Sequence, residues 1–168
     1  MKNYALGVMA AALALAGCAK KPPETLPPAP GDGIAAPSEQ VGPSGLVPGS
    51  QADFASQMNG EDVIYFDTDR FNVDSQDAAA LQSQANWLRR YPQKRAIIEG
   101  HADERGTREY NIALGERRAN AARSYLVSLG IGDERLSVVS YGKERPSAIG
   151  SNETAWARNR RAVTVTVD

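Results

Sequence analysis

The sequence is poor in the residues that build reactive or cross-linked centres. Its 168 residues include one cysteine and one histidine. A lone cysteine, Cys18, excludes a disulfide within the chain. A lone histidine, His101, leaves no multi-residue Cys/His cluster for a metal. No G-x-S-x-G or H-E-x-x-H element occurs, so the common hydrolase and metalloprotease signatures are absent. Neither sign of charge dominates: 19 Lys and Arg stand against 20 Asp and Glu. That balance gives no basic stripe for nucleic acid. The apolar run from Leu6 to Ala16 is too short and too rich in alanine to span a bilayer.

What is present falls into three parts. Residues 1–17 read as an export signal, with Lys2 at a positive start and the apolar run behind it. The run ends Leu15-Ala16-Gly17-Cys18, which resembles the bacterial lipobox. That resemblance implies cleavage before Cys18, which would then carry a diacylglyceryl group and an N-acyl chain such as palmitate. Each buried methylene contributes roughly 0.8 kcal/mol, so several chains anchor stably. Ala19, where a sorting Asp would retain a lipoprotein at the inner membrane, favours the outer membrane. Residues 18–50 carry eight of the ten prolines and five glycines, a composition that cannot bury a core and reads as a tether. As a coil it would average about 30–35 Å end to end.

Residues 51–168 carry alternating strand and helix signals. Gln51 to Asn59 suggests a short helical turn. Asp62 to Phe66 reads as a strand, and Asp74 or Ser75 caps a helix over about Gln76 to Arg90 with Ala78, Leu81, Ala85 and Leu88 inward. A second strand spans Arg95 to Glu99 and a third Leu136 to Tyr141. A short helix covers Glu153 to Arg158, and Ala162 to Val167 alternates as a half-buried strand. The order β-α-β-α-β-(α)-β predicts an α+β two-layer sandwich with a mixed four-stranded sheet. Asp67 and Asp69 hint at a calcium loop, but Phe71 and a missing glycine break that pattern.

The chain is organised around Gly100 to Leu129. Gly100 and Gly106 bracket a charged loop where backbone freedom is needed, Thr107 is placed to cap the helix, and Gly130 to stop it. At 100° per residue, Leu114, Ala119, Ala121, Ala122, Tyr125, Leu126 and Leu129 share one arc. Asn111 and Arg118 fall inside it. An inward guanidinium cannot shed its charge and needs an anion or a dense hydrogen-bond shell. Asp103 is the nearest candidate in sequence. Either the two pair with each other, or they flank a pocket for a ligand carrying both an ammonium and a carboxylate.

The stretch GHADERGTREYNIALGERRANAARSYL, followed by SVVSYGKERP and NRRAVTV, resembles the OmpA C-terminal-like domain over about Asp62 to Val167. That family binds peptidoglycan non-covalently through the diaminopimelate of the stem peptide. The resemblance implies ligand-binding roles for Asp103, Arg118, Asn111 and Leu114, for Phe66 and Asp67 at the end of the first strand, and for Thr107 at the helix start. One arginine of Asn159-Arg160-Arg161 joins them; strand alternation allows only one, and Arg160 is preferred. In lipid-anchored members the resemblance further implies an outer-membrane protein facing the periplasm. It also implies partnership with the propeller protein TolB and other Tol components in cell division. For an enzyme acting on the wall, Asp67, Asp103, Glu104 and His101 are the titratable candidates. They form no recognisable acid–base pair, so the expectation is a binding module with no cofactor and no metal.

Overall fold

The computed structural model describes residues 45–167. The expected signal peptide, Cys18 and most of the tether therefore lie outside the described residues. Helix α1 spans Gln51–Met58, two turns rather than one, with Ser50 as N-cap accepting from the Asp53 amide. Residues 45–50, read as the end of the tether, lie against the domain. The Gly49 amide donates to Asp53, which also accepts from the indole N–H of Trp87 on helix α2 (Ser75–Arg90). Phe54 meets the Trp87 ring edge-on at 5.0 Å, and Tyr91 closes over it at 4.5 Å.

Four strands form one sheet: β1 (Val63–Tyr65), β2 (Arg95–His101), β3 (Leu136–Gly142) and β4 (Arg161–Val167). Their order is β1-β4-β2-β3. β4 runs antiparallel to both neighbours, while β2 and β3 are parallel and joined through helix α3 (Arg108–Ser128). The sheet is mixed and the fold α+β. β1 is shorter than predicted, because only three of its residues pair, although the Phe66 amide still donates to the Arg160 carbonyl. β2 runs two residues longer, ending in a register shift at Gly100/His101. A 3-10 turn at Asp133–Arg135, absent from the sequence reading, leads into β3.

On β4 the residues facing the helices are Ala162, Thr164 and Thr166, not the valines. Their hydroxyls are satisfied there: Thr164 donates to Gln84 at 2.7 Å and Thr166 to Gln51 at 2.6 Å. Gln84 thus joins the inner face of α2 with Leu81, Ala85 and Leu88, and Ala78 is only half-buried. Helix α3 seats very closely on β2. A Cβ on Gly100 would run into the Gly115 carbonyl, and one on Gly115 would meet Ser140. Gly100 is therefore required for close approach; positive φ is needed at Gly106, at +85°. No helix among the described residues is long and apolar enough to cross a membrane.

Candidate functional site

Three segments converge at one end of the sheet: the β1–α2 loop, the β2–α3 loop and the first turns of α3. Thr107 caps α3, its hydroxyl accepting from the Tyr110 amide. The cap fixes the entry of the helix, and phase then turns Asn111, Leu114 and Arg118 toward the body of the domain, where all three are buried. Asn111 donates to the Arg105 carbonyl at 2.7 Å and so holds the β2–α3 loop in place. The result is a cleft of about 260 Å³ lined by Thr68, Asp69, Asp103, Arg105, Tyr110 and Arg118, with Gly106, Asn111 and Leu114 completing its wall.

Asp103 and Arg118 share this cleft without pairing. Arg118 has no exposed surface, and it donates to three backbone carbonyls: Arg70 at 2.9 Å, His101 at 2.8 Å and Asp67 at 3.0 Å. It ties the β1–α2 loop to the end of β2, with the Phe66 ring 5.3 Å beneath it. Burial lowers its pKa to about 10, opposed by Asp103 and Asp69, so the guanidinium stays charged at neutral pH. Three of its five N–H donors are accounted for by these bonds, and two remain.

Asp103 pairs instead with Arg105, a residue the sequence reading passed over. The Nε and Nη2 of Arg105 donate to its two carboxylate oxygens at 3.1 and 2.6 Å, and the Arg105 amide adds a third bond at 3.1 Å. Burial acts to raise the Asp103 pKa, but these bonds, with the charges of Arg105 and Arg160, hold it below the usual carboxylate value. Tyr110 was also missed, and Asp69, weighed in the sequence only as part of a calcium loop, belongs to the cleft instead. Asp69 takes a left-handed conformation, φ +55°, and accepts from the Tyr110 hydroxyl at 3.1 Å. Aspartate is one of the few non-glycine residues that enters that region readily, and here it lines the cleft. The only hint in the sequence was the acidic Asp67-Thr-Asp69 loop itself.

The remaining predicted residues stand next door. Phe66, Asp67 and Arg160 line a neighbouring groove of about 390 Å³ with Tyr65, Asn72, Asp74, Ala157 and Arg158. Arg160 links groove and cleft. It donates to the Phe66 carbonyl and to Glu153, and its Nη1 lies 3.5 Å from Asp103. Strand alternation is not what selects it, because Arg160 is the C-cap of helix α4 (Glu153–Asn159), one residue before β4 begins. Arg161 bonds to the Arg145 carbonyl away from the cleft. Thr107 acts as a cap and does not line the cleft.

His101 is buried against Tyr141, and burial lowers its pKa to about 4. Glu104 is exposed and accepts from the Trp156 indole. Among the described residues no group of three His, Cys, Asp or Glu could hold a metal.

This geometry coincides with clear kinship. The model of the OmpA family matches residues 65–160. A peptidoglycan-associated lipoprotein of Agrobacterium fabrum is 47% identical over 165 residues, 98% of this chain and 88% of the relative. The crystal structure of the peptidoglycan-associated lipoprotein from Burkholderia pseudomallei superposes with a TM-score of 0.61 at 48% identity, covering 62% of this chain and 89% of the other. The C-terminal domain of Helicobacter pylori MotB shares the fold at 18% identity and TM-score 0.59, covering 63% of this chain and 84% of that one. The chain belongs to the OmpA family, alongside relatives that carry the name peptidoglycan-associated lipoprotein, a family of structural and not catalytic proteins.

Proposed function

We propose that this protein grips peptidoglycan non-covalently, taking the diaminopimelate of the stem peptide into the Asp103–Arg118 cleft. The observation that carries the reading is a single cleft faced by a loop carboxylate and a buried guanidinium that do not neutralise each other. Diaminopimelate offers a free ammonium and a carboxylate on one carbon at the end of a methylene chain. Asp103 complements the ammonium, the spare donors of Arg118 the carboxylate, and Leu114 the chain. Charge-assisted bonds contribute about 1.5–3 kcal/mol each, so one stem peptide binds modestly and a polymer holds by avidity.

Kinship with proteins named peptidoglycan-associated lipoproteins supports the wider role. In it, the lipid on Cys18 anchors the chain in the outer membrane with its domain in the periplasm. The same kinship supports TolB and other Tol components as partners during division. Co-sedimentation with purified peptidoglycan tests the site. Asp103→Ala is expected to stay in the supernatant while keeping its far-ultraviolet circular dichroism. A folded Asp103→Ala that pellets like the wild type would defeat the assignment.

A further inference from the structure

The geometry points to Arg105 as the residue that makes the cleft select an amino-acid head group over a simple amine. This inference rests on the diaminopimelate reading above. The ammonium position at Asp103 is already filled, because a guanidinium sits across both carboxylate oxygens at 3.1 and 2.6 Å. The two partners are unequally held. The Asp103 side chain is 10% exposed and that of Arg105 40%. The other ties of Arg105 are loose: a 3.3 Å bond to Thr68 and a stacking contact 4.2 Å from the Trp156 ring. Arg118 is fixed beneath by three carbonyls and cannot follow a ligand. Of the two guanidiniums that line the cleft, Arg105 is therefore the one with room to swing.

The consequence follows from matching charges. A ligand that brings only an ammonium must displace a two-point guanidinium with a one-point contact, and the released cation keeps only the through-space pull of Asp69 and Glu153, with no two-point pairing to replace the one lost. A ligand with ammonium and carboxylate on one carbon completes an exchange. Its ammonium takes Asp103, and Arg105 turns onto the carboxylate from the rim while Arg118 meets it from below. Every charge remains paired, and Arg105 leaves the face of Trp156.

Calorimetric titration of the full-length chain tests this with two soluble stem tripeptides, one ending in meso-diaminopimelate and one in L-lysine. The wild type is expected to prefer diaminopimelate. In Arg105→Gln the lysine peptide gains affinity and the diaminopimelate peptide loses it, so that the ratio falls by about tenfold or more. Arg105→Lys restores part of the preference. In NMR, the Trp156 indole signal, assigned with Trp156→Phe, moves on adding the diaminopimelate peptide to the wild type and stays with the lysine peptide. An unchanged ratio in Arg105→Gln, or a proportional loss for both peptides, would overturn the inference and leave the diaminopimelate reading standing. A wild type that binds neither peptide removes both.

Discussion

Two arginines meet the same cleft and are held in opposite ways. Arg118 forms its floor, fully buried, with its hydrogen bonds going to the backbone of two separate segments. Arg105 forms its rim, half in solvent, and its bonds go to side chains. Backbone carbonyls in a packed seam cannot move away from a guanidinium, whereas exposed side chains can exchange partners. The floor is thus an element of architecture that presents charge, and the rim is an element of recognition that can give way. Substitutions at the two should separate along that line.

The largest effect is expected at Arg118. Helical phase alone presents Arg118→Ala as the loss of a ligand contact from a folded domain. The three carbonyls revise that, because removing the guanidinium leaves buried acceptors without donors. Arg118→Met should lower the unfolding free energy by about 3–5 kcal/mol in urea titration. Arg105→Gln, which removes a half-solvated ion pair, should lower it by about 1 kcal/mol or less. Equal losses at the two sites would erase the distinction between floor and rim.

A second test of the floor uses pH. The carbonyl of His101 takes one of the Arg118 bonds, so the ring and the strut share one stretch of β2. The buried imidazole is neutral in the fold, with its pKa near 4 against 6.5 for the free side chain. Between those values the unfolded chain binds a proton that the folded chain does not. Stability from this group is therefore complete above about pH 6.5 and lost as pH falls toward 4, by about 3 kcal/mol in all. His101→Phe should flatten that slope in melting temperatures measured from pH 7 to 4. A variant as steep as the wild type would place the acid sensitivity elsewhere.

The seam under the floor gives a smaller effect. Gly100→Ala must push α3 off β2, because the added methyl collides with the Gly115 carbonyl. Overpacking of this kind costs about 1–3 kcal/mol. Gly106→Ala, at the rim, strains only its own turn and meets nothing closer than 3.5 Å. Chemical shifts of the Arg118 guanidinium should move in the first variant and hold in the second.

How far the sequence could see follows from the range of each interaction. Caps are local, so Asp74 and Thr107 are legible as helix starts, as are the strand–helix order and the inward phase of Asn111, Leu114 and Arg118. What Arg118 bonds to is not local. Its acceptors lie 17, 48 and 51 residues away and are backbone atoms, which carry no side-chain signature. Arg105 is only two residues from Asp103, yet exposure and charge gave no reason to single it out from the other arginines. Gly100 was legible as necessary but for the wrong reason, since the demand comes from α3 lying over it and not from its φ. Alternation in β4 marked two faces without saying which turns inward, because the partners of the threonine hydroxyls, Gln51 and Gln84, are distant in sequence.

The smallest expected effect joins the two regions. Asp103 receives Arg105 from the rim and lies 3.5 Å from the buried Arg160. Its lowered pKa means that the folded chain holds this carboxylate ionised below the ordinary value of 3.8. The resulting stability is present above that value and fades as pH drops through the folded pKa. Because Arg105 is half-solvated, its share of the effect should be screened by salt, while the share from Arg160 should persist. Asp103→Asn should thus remove a shallow acid limb below about pH 4 from the melting curve. In the wild type, molar salt should remove only part of that limb. Complete removal by salt would show that Asp103 answers to the rim alone and that Arg160 contributes nothing to the floor.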